Sequence, residues 1–200
     1  MNRIIIENKE YSLIDVFSWC NSDCKIELSD DVIKKIKKSR DLVVKLSLSD
    51  ESIYGINTGF GKLSQIPIQK SNLFKLQENL LLSHAVGVGP ACPKIIVKIM
   101  MLLKIISFSK GNSGISLNII EFLLYLFNNN LIPYVPIKGS VGASGDLAPL
   151  AHMSLPLLGL GKLSDGSNFV DTKIILKKNI LNKVELGPKE GLALINGTQF

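Results

Sequence analysis

The chain has 200 residues, a formal net charge of +6 and 46% hydrophobic residues, with a mean hydropathy of +0.27. Lysines interrupt its most apolar stretch, residues 94–110, so no run of roughly 18 uncharged apolar residues predicts a membrane span. The positive charge is scattered and is nearly all lysine, which argues against a nucleic-acid partner.

The cysteines and the N-terminal sequence favour a cytoplasmic chain. Three cysteines are an odd number, and no segment resembles a secretory signal, so a disulfide framework is not expected. Cys20 and Cys24 lack a second pair of ligands, and the chain has two histidines, so we expect no metal site. The apolar composition is then expected to serve contacts with partner chains.

The first part of the chain predicts a small strand pair followed by helices. Residues 3–7 and 25–28 are short, β-branched runs bounded by turns. Ser29 is a helix N-cap type, and apolar residues recur at helical spacing after it. Residues 52–67 predict a loop, and Ser71 is expected to cap the next helix.

The remaining elements are predicted as helices separated by breaker residues. These helices are predicted to begin at Pro93, at residues 117, 147 and 171, and at Pro188. The segments that separate or interrupt them are a break at 111–114, a turn at 139–146, Pro156 and a loop at 165–170. The fold class is therefore mainly α, with a small α+β region near the start. We divide the chain into an N-terminal region, 1–110, and the start of a central helical region, 111–200.

Four small-residue loops contain groups suited to acid–base or hydrogen-bond chemistry. They are residues 54–61, 83–89, 139–146 and 196–198. Taken singly, each also fits a purely structural role: glycines for turns, a buried histidine at a helix end, or an Asn-Gly helix terminator.

The loop at 139–146 leads directly onto a predicted helix. Asp146 is a good N-cap type, and Pro149 falls in the first turn, where backbone amides have no intrahelical partner. A helix N-terminus bears a partial positive charge and free N–H donors, so this turn favours a group that is or becomes anionic.

Common catalytic motifs do not match this loop. It lacks the Gly-Lys-Ser/Thr ending of a phosphate-binding loop and the Gly-x-Ser-x-Gly of a nucleophile elbow. A hydrolase built from Ser144, His84 and Asp146 stays open as an alternative, although no known spacing supports it.

Four motifs in this order carry a resemblance to a known family: "YGINTGFG", "LLLSHAVGVG", "KGSVGASGDLAPLAHM" and "EGLALINGTQ". From about Leu28 onward the chain resembles the aromatic amino acid ammonia-lyases, and it is most similar to their histidine ammonia-lyase branch. The resemblance implies the N-terminal part of the fumarase-like helical fold of that family. It also implies non-oxidative deamination of L-histidine to trans-urocanate and ammonia, in histidine degradation.

The resemblance implies that the cofactor is formed by the chain itself, with no external cofactor. In the family an Ala-Ser-Gly tripeptide, here Ala143, Ser144 and Gly145, becomes methylidene-imidazolone (MIO). The amide nitrogen of Gly145 attacks the carbonyl carbon of Ala143 and water leaves, and Ser144 loses its hydroxyl as a second water. Small side chains permit this compressed geometry, and Asp146 is expected to support maturation by moving protons.

The family pattern also implies roles for other residues. Tyr54 matches the tyrosine that removes the β-proton of the substrate. The Ser83-His84 pair matches the position that sorts substrates, and it resembles the histidine enzymes. Asn196 matches an asparagine that hydrogen-bonds near the substrate and MIO, and Leu147 is expected to line the same pocket.

The chain departs from the family in two ways. Ser116 stands where a basic residue is usual, and Lys110 replaces an arginine. Family members are also more than twice as long and are homotetramers, with sites built from three chains, so we expect the C-terminal remainder to be missing and Tyr54 and Ser144 to meet across chains. Two alternatives to an active histidine enzyme are a truncated, non-catalytic remnant and a phenylalanine or tyrosine ammonia-lyase relative.

Overall fold

The computed structural model describes residues 2–200, and its first elements are a pair of strands. Strands β1 (Asn2–Ile6) and β2 (Cys24–Leu28) are parallel, with Ile4 opposite Ile26. The predicted strand pair is therefore confirmed.

Helix α1 (Leu13–Asn21) forms the crossover that two parallel strands require. Its N-cap is Ser12, whose hydroxyl accepts a hydrogen bond from the backbone amide of Asp15. In return, the Asp15 carboxylate accepts a hydrogen bond from the backbone amide of Ser12. The sequence did not predict this helix. Its apolar residues are not confined to one face, because Val16 and Cys20 are buried whereas Leu13, Ile14 and Phe17 are exposed.

Helix α2 (Asp30–Ser47) begins as the sequence predicts, because the hydroxyl of Ser29 accepts the amide of Val32. The next helix, α3 (Leu73–His84), corrects the prediction at Ser71. Ser71 lies inside a 3₁₀ turn, Lys70–Asn72, and does not cap α3.

Two apolar helices form the centre of the core. Helices α4 (Lys94–Ser109) and α5 (Leu117–Asn128) pack together, and the break between them is confirmed. Helix α4 also contacts α1 and α2, so one hydrophobic cluster joins the N-terminal elements to the rest of the chain. In residues 2–200 no helix combines the length and hydropathy of a membrane span.

Short strands bring distant parts of the chain together. Strand β3 (Val88–Ala91) pairs with β5 (Pro136–Lys138), and β4 (Ile132–Pro133) joins a hairpin of β6 (Lys162–Ser164) and β7 (Phe169–Asp171). The hairpin corrects the predicted loop at residues 165–170, because residues 169 and 170 belong to β7. These strands form through tertiary pairing and are too short to show a period.

Three helices complete the described chain: α6 (Leu147–Ser154), α7 (Thr172–Lys178) and α8 (Glu190–Ile195). Pro156 lies in the 3₁₀ turn Leu155–Leu158, so α6 ends before it, as predicted. Helix α8 packs against both α3 and α6. The mainly α class is confirmed, whereas the division between residues 110 and 111 stays a prediction.

A buried ion pair fixes the start of α8. Arg40 on α2 lies 3.6 Å from the carboxylate of Glu190, which is 2% exposed. The same guanidinium donates to the carbonyls of Gly114 and Pro188, and the carboxylate accepts the amides of Ser116 and Gly187. This cluster holds α8 in register with the break between α4 and α5.

Candidate active site

The turn at residues 139–146 connects β5 to α6 and has an unusual backbone. Ser144 has a φ of 58°, in the left-handed region that residues with a side chain rarely adopt, and Gly145 has a φ of 105°. Ser144 is exposed, and Gly145 is half-buried. The turn thus presents the serine hydroxyl at the surface on a tightly bent backbone.

A second segment, residues 196–200, lies directly against this turn. The amide of Asp146 donates to the carbonyl of Gly197 at 2.8 Å, and the amide of Phe200 donates to the Asp146 carboxylate at 3.0 Å. A Cβ on Gly145 would collide with the Gly197 carbonyl. The structure therefore brings two of the four small-residue loops into contact.

Asp146 occupies the N-cap position of α6, as the sequence predicts, but its side chain does not cap the helix. Its carboxylate instead accepts the hydroxyl of Ser140 at 2.7 Å and the amide of Phe200. The carboxylate therefore stays beside the turn, and the first amides of α6 keep no capping side chain. Leu147 follows at the first helical position and is half-buried against the core.

Asn196 ends α8 with an exposed side chain and a bonded backbone. Its carbonyl accepts the ammonium of Lys104 at 2.7 Å. Lys104 is 1% exposed, and burial lowers its pKa to about 7. A lysine in the core thus supports the backbone that leads to Gly197.

Ser83 and His84 lie at the C-terminal end of α3. The Nδ1 of His84 lies 2.8 Å from the Leu80 carbonyl, and because a carbonyl only accepts, Nδ1 bears the proton. The Ser83 hydroxyl also donates to this carbonyl. In the neutral ring Nε2 is left as an acceptor. In the described residues 2–200, His84 makes no hydrogen bond to Ser144 or to Asp146, so the Ser–His–carboxylate alternative is not formed within the chain.

The segment after His84 is tied to α6. The amide of Gly87 donates to Nε2 of His152 at 3.0 Å, and burial lowers the pKa of this histidine. Gly139 and Gly87 approach so closely that a Cβ on Gly139 would lie 2.9 Å from the Cα of Gly87. The Ser83-His84 segment and the 139–146 turn are therefore joined through their glycines.

Tyr54 lies on a loop that rests on α8. A Cβ on Gly55 would lie 2.6 Å from Leu192, and Asn57 closes the loop by accepting the amide of Ile53 at 2.7 Å. The ring of Tyr54 is 56% exposed and meets Phe60 edge-on. Within residues 2–200, no hydrogen bond joins Tyr54 to the turn.

Comparison with known proteins decides the family. The profile of the aromatic amino acid lyase family matches residues 11–200. The chain belongs to this family. It is 43% identical over 199 residues to histidine ammonia-lyase of Streptococcus pyogenes, and the aligned region covers 99% of this chain and 39% of that protein. The Shewanella sediminis histidine ammonia-lyase is 45% identical over 199 residues, with 100% and 39% covered.

Solved structures agree with the family. The crystal structure of histidine ammonia-lyase from Trypanosoma cruzi matches with a TM-score of 0.89 and 34% identity, over 98% of this chain and 38% of that chain. The predicted fold, the N-terminal part of an aromatic lyase fold, is confirmed. The chain spans about 39% of the length of the curated relatives it matches.

The motifs did not assign a role to two residues that support the candidate site, Lys104 and His152. Lys104 had a signal, because it lies four residues from both Met100 and Phe108 on an apolar helix and so falls on the buried face. His152 lies within the third quoted motif, but nothing in the sequence indicated its contact, because its partner amide is 65 residues away in the chain.

Proposed function

We propose that the chain forms the MIO-bearing part of a histidine ammonia-lyase, which converts L-histidine to trans-urocanate and ammonia. The observation that supports this most is the turn of Ala143, Ser144 and Gly145, with its left-handed serine and a glycine pressed against the Gly197 carbonyl. Family membership and the histidine ammonia-lyase relatives support the reaction class.

The tripeptide fits the cofactor that the family implies. Ring closure needs the Gly145 nitrogen near the Ala143 carbonyl carbon, and the φ of 58° at Ser144 brings the flanking peptide groups closer together than extended backbone would. The C–N bond forms as the Ala143 oxygen leaves in one water, and Ser144 loses its hydroxyl and α-hydrogen as the other. Once formed, MIO supplies an electrophile that makes the substrate amine a better leaving group.

Asp146 is proposed to move protons during ring closure. Asp146 directly follows Gly145, whose amide must lose its proton, and hydrogen bonds from the Ser140 hydroxyl and the Phe200 amide hold the Asp146 carboxylate beside the turn. The N-terminus of α6 adds a partial positive charge beside the turn, which stabilises negative charge that develops on the ring.

Substrate recognition is assigned to the neighbouring loops. In the neutral ring Nε2 of His84 is an acceptor suited to an imidazole N–H, and the Ser83 hydroxyl lies 3.2 Å from the other ring nitrogen, Nδ1. The exposed amide of Asn196 and the side chain of Leu147 complete this side of the site. The Ser83-His84 pair favours L-histidine over L-phenylalanine and L-tyrosine.

Tyr54 is proposed as the base that removes the β-proton. Because its ring is exposed and no hydrogen bond joins it to Ser144 in the described chain, we propose that it serves the turn of a second copy in a homotetramer. The substrate is then enclosed only in the assembly. We expect the 200-residue chain alone to form no detectable urocanate.

The intact mass of the purified chain tests the proposal. A deficit of two water molecules that maps to residues 143–145, and that disappears in Ser144→Ala, supports ring formation. An unmodified mass would contradict it and favour the non-catalytic remnant. Catalysis is then measured with the polypeptide that supplies the remaining family length, by comparing urocanate formation with the products from L-phenylalanine and L-tyrosine.

The DNA beyond the codon for Phe200 separates the same alternatives. An in-frame continuation, or an adjacent frame that encodes the missing helices, supports the enzyme. A stop codon followed by decayed sequence supports the remnant.

A further inference from the structure

Lys104 is a buried lysine whose nitrogen is bonded to backbone and not to an acid. Its side chain is 1% exposed, and within residues 2–200 no carboxylate lies at ion-pair distance from it. Its Nζ donates to the Asn196 carbonyl at 2.7 Å and lies 5.0 Å from the ring centroid of Phe108. Burying an ammonium without a counter-charge is costly, so helix packing alone does not explain it.

The carbonyl that Lys104 holds belongs to the segment that supports the candidate cofactor turn. The Asn196 carbonyl shares a peptide plane with the Gly197 amide, so fixing one fixes the other. The Gly197 carbonyl accepts the Asp146 amide at 2.8 Å and abuts Gly145. The segment is therefore held on one side by Lys104 and on the other by the turn.

We propose that Lys104 is a positioning residue that presses the Asn196–Gly197 backbone against the turn and thereby holds Gly145 and Asp146 in the geometry for ring closure. This role rests on the proposed function of the turn. Lys104 touches neither the reacting atoms nor the substrate, and it acts through the backbone carbonyl of Asn196.

The space around Lys104 makes the idea testable by substitution. A cavity of about 230 Å³ lies beside it, lined in part by Lys189, Leu192 and Asn196. This cavity has room for the larger guanidinium of Lys104→Arg, which keeps a cationic donor. Lys104→Met fills the same core position but donates nothing. Lys98→Met is a matched control, because it removes a lysine from the same helix.

The direct readout is hydrogen exchange of the Asp146 amide, resolved by NMR in the intact chain. We expect Lys104→Met to melt no lower than Lys98→Met but to exchange this amide about tenfold faster, equivalent to about 1.4 kcal/mol. Lys104→Arg and Lys98→Met should keep the wild-type rate. The fraction of chains that carry the two-water mass deficit at residues 143–145 should fall in Lys104→Met and return to the wild-type value in Lys104→Arg.

Two results would overturn the proposal: wild-type exchange of the Asp146 amide in folded Lys104→Met, or fast exchange in folded Lys104→Arg. If Lys104→Met does not fold, the exchange rate of the Asp146 amide in Lys104→Arg decides alone. The wild-type rate supports the proposal, and faster exchange overturns it. An unmodified wild-type mass would count against the proposed cofactor, whereas amide exchange would still test the role of Lys104.

Discussion

The Nε2 atom of His152 accepts the amide of Gly87 at 3.0 Å, and this bond ties α6 to the chain that leaves α3. Nε2 accepts only in the neutral ring, in agreement with burial lowering the pKa of His152 below its ordinary 6.5. As the pH falls below 6.5, His152 binds a proton in the unfolded chain but not yet in the folded chain. The stabilisation is complete above pH 6.5 and is lost as the pH falls through the folded pKa.

His152→Gln should remove this pH dependence, because the amide oxygen of glutamine accepts the Gly87 amide without titrating. We expect wild type to lose stability relative to the variant below pH 6.5, by at most about 1.4 kcal/mol per pH unit. Urea unfolding of both proteins across this range measures the difference. Two parallel stability curves would contradict the prediction.

The buried pair of Arg40 and Glu190 should contribute strongly to stability. Arg40→Met leaves the Glu190 carboxylate buried with its two amide donors but no cation, and loss of one partner of a buried pair costs about 3–5 kcal/mol. Denaturant unfolding of Arg40→Met, Glu190→Gln and the double variant measures the coupling. We expect the double variant to lose less than the sum of the single variants.

The exposed pair of Arg3 and Glu27 provides the control for that cycle. Its side chains are 74% and 45% exposed and 3.7 Å apart, so Arg3→Met should change stability by less than about 1 kcal/mol. Similar losses for Arg40→Met and Arg3→Met would show that burial does not strengthen the inner pair.

The sequence could predict features that depend on neighbouring residues, but not those that depend on pairing between distant parts of the chain. The start of α2 was predictable because Ser29 and the acidic residues after it act within one turn of the helix. The hairpin of β6 and β7 was not, because strands of three residues show no period. The turn at 139–146 was found by its composition, but its contact with Gly197 joins residues about 50 positions apart and exists only in the fold.

Gly145 should tolerate a side chain less well than Gly142, although both have positive φ angles. A Cβ on Gly145 meets the Gly197 carbonyl, whereas a Cβ on Gly142 meets nothing within 4 Å. We expect Gly142→Ala to lose about 1–2 kcal/mol from the left-handed backbone alone. Gly145→Ala should lose more, because its φ of 105° lies outside the left-handed region and the 196–200 segment must move.

Urea unfolding of the two alanine variants checks this order, and amide exchange at Asp146 reports the contact itself. Faster exchange is expected in Gly145→Ala but not in Gly142→Ala. Equal stability and equal exchange in the two variants would mean that the turn and the 196–200 segment do not depend on close contact.

Lys104 should make the stability of the chain rise with pH in the alkaline range. Burial lowers its pKa from 10.5 to about 7 in the folded chain, so between these values the unfolded chain binds the extra proton. Its contribution is greatest above pH 10.5 and is lost as the pH falls towards 7. The expected slope is at most about 1.4 kcal/mol per pH unit.

Lys104→Met and Lys104→Arg should both lack this slope, because methionine has no proton to exchange and arginine stays charged throughout the range. The free energy of unfolding of each variant is measured at several pH values between 7 and 9.5, and its difference from the wild-type value at the same pH is compared across this range. Lys189 lines the same cavity, and burial also lowers its pKa, so Lys189→Met measures its share. If wild type and both Lys104 variants rise in parallel, Lys104 keeps its proton in the fold, and its bond to Asn196 is then that of a fully charged ammonium.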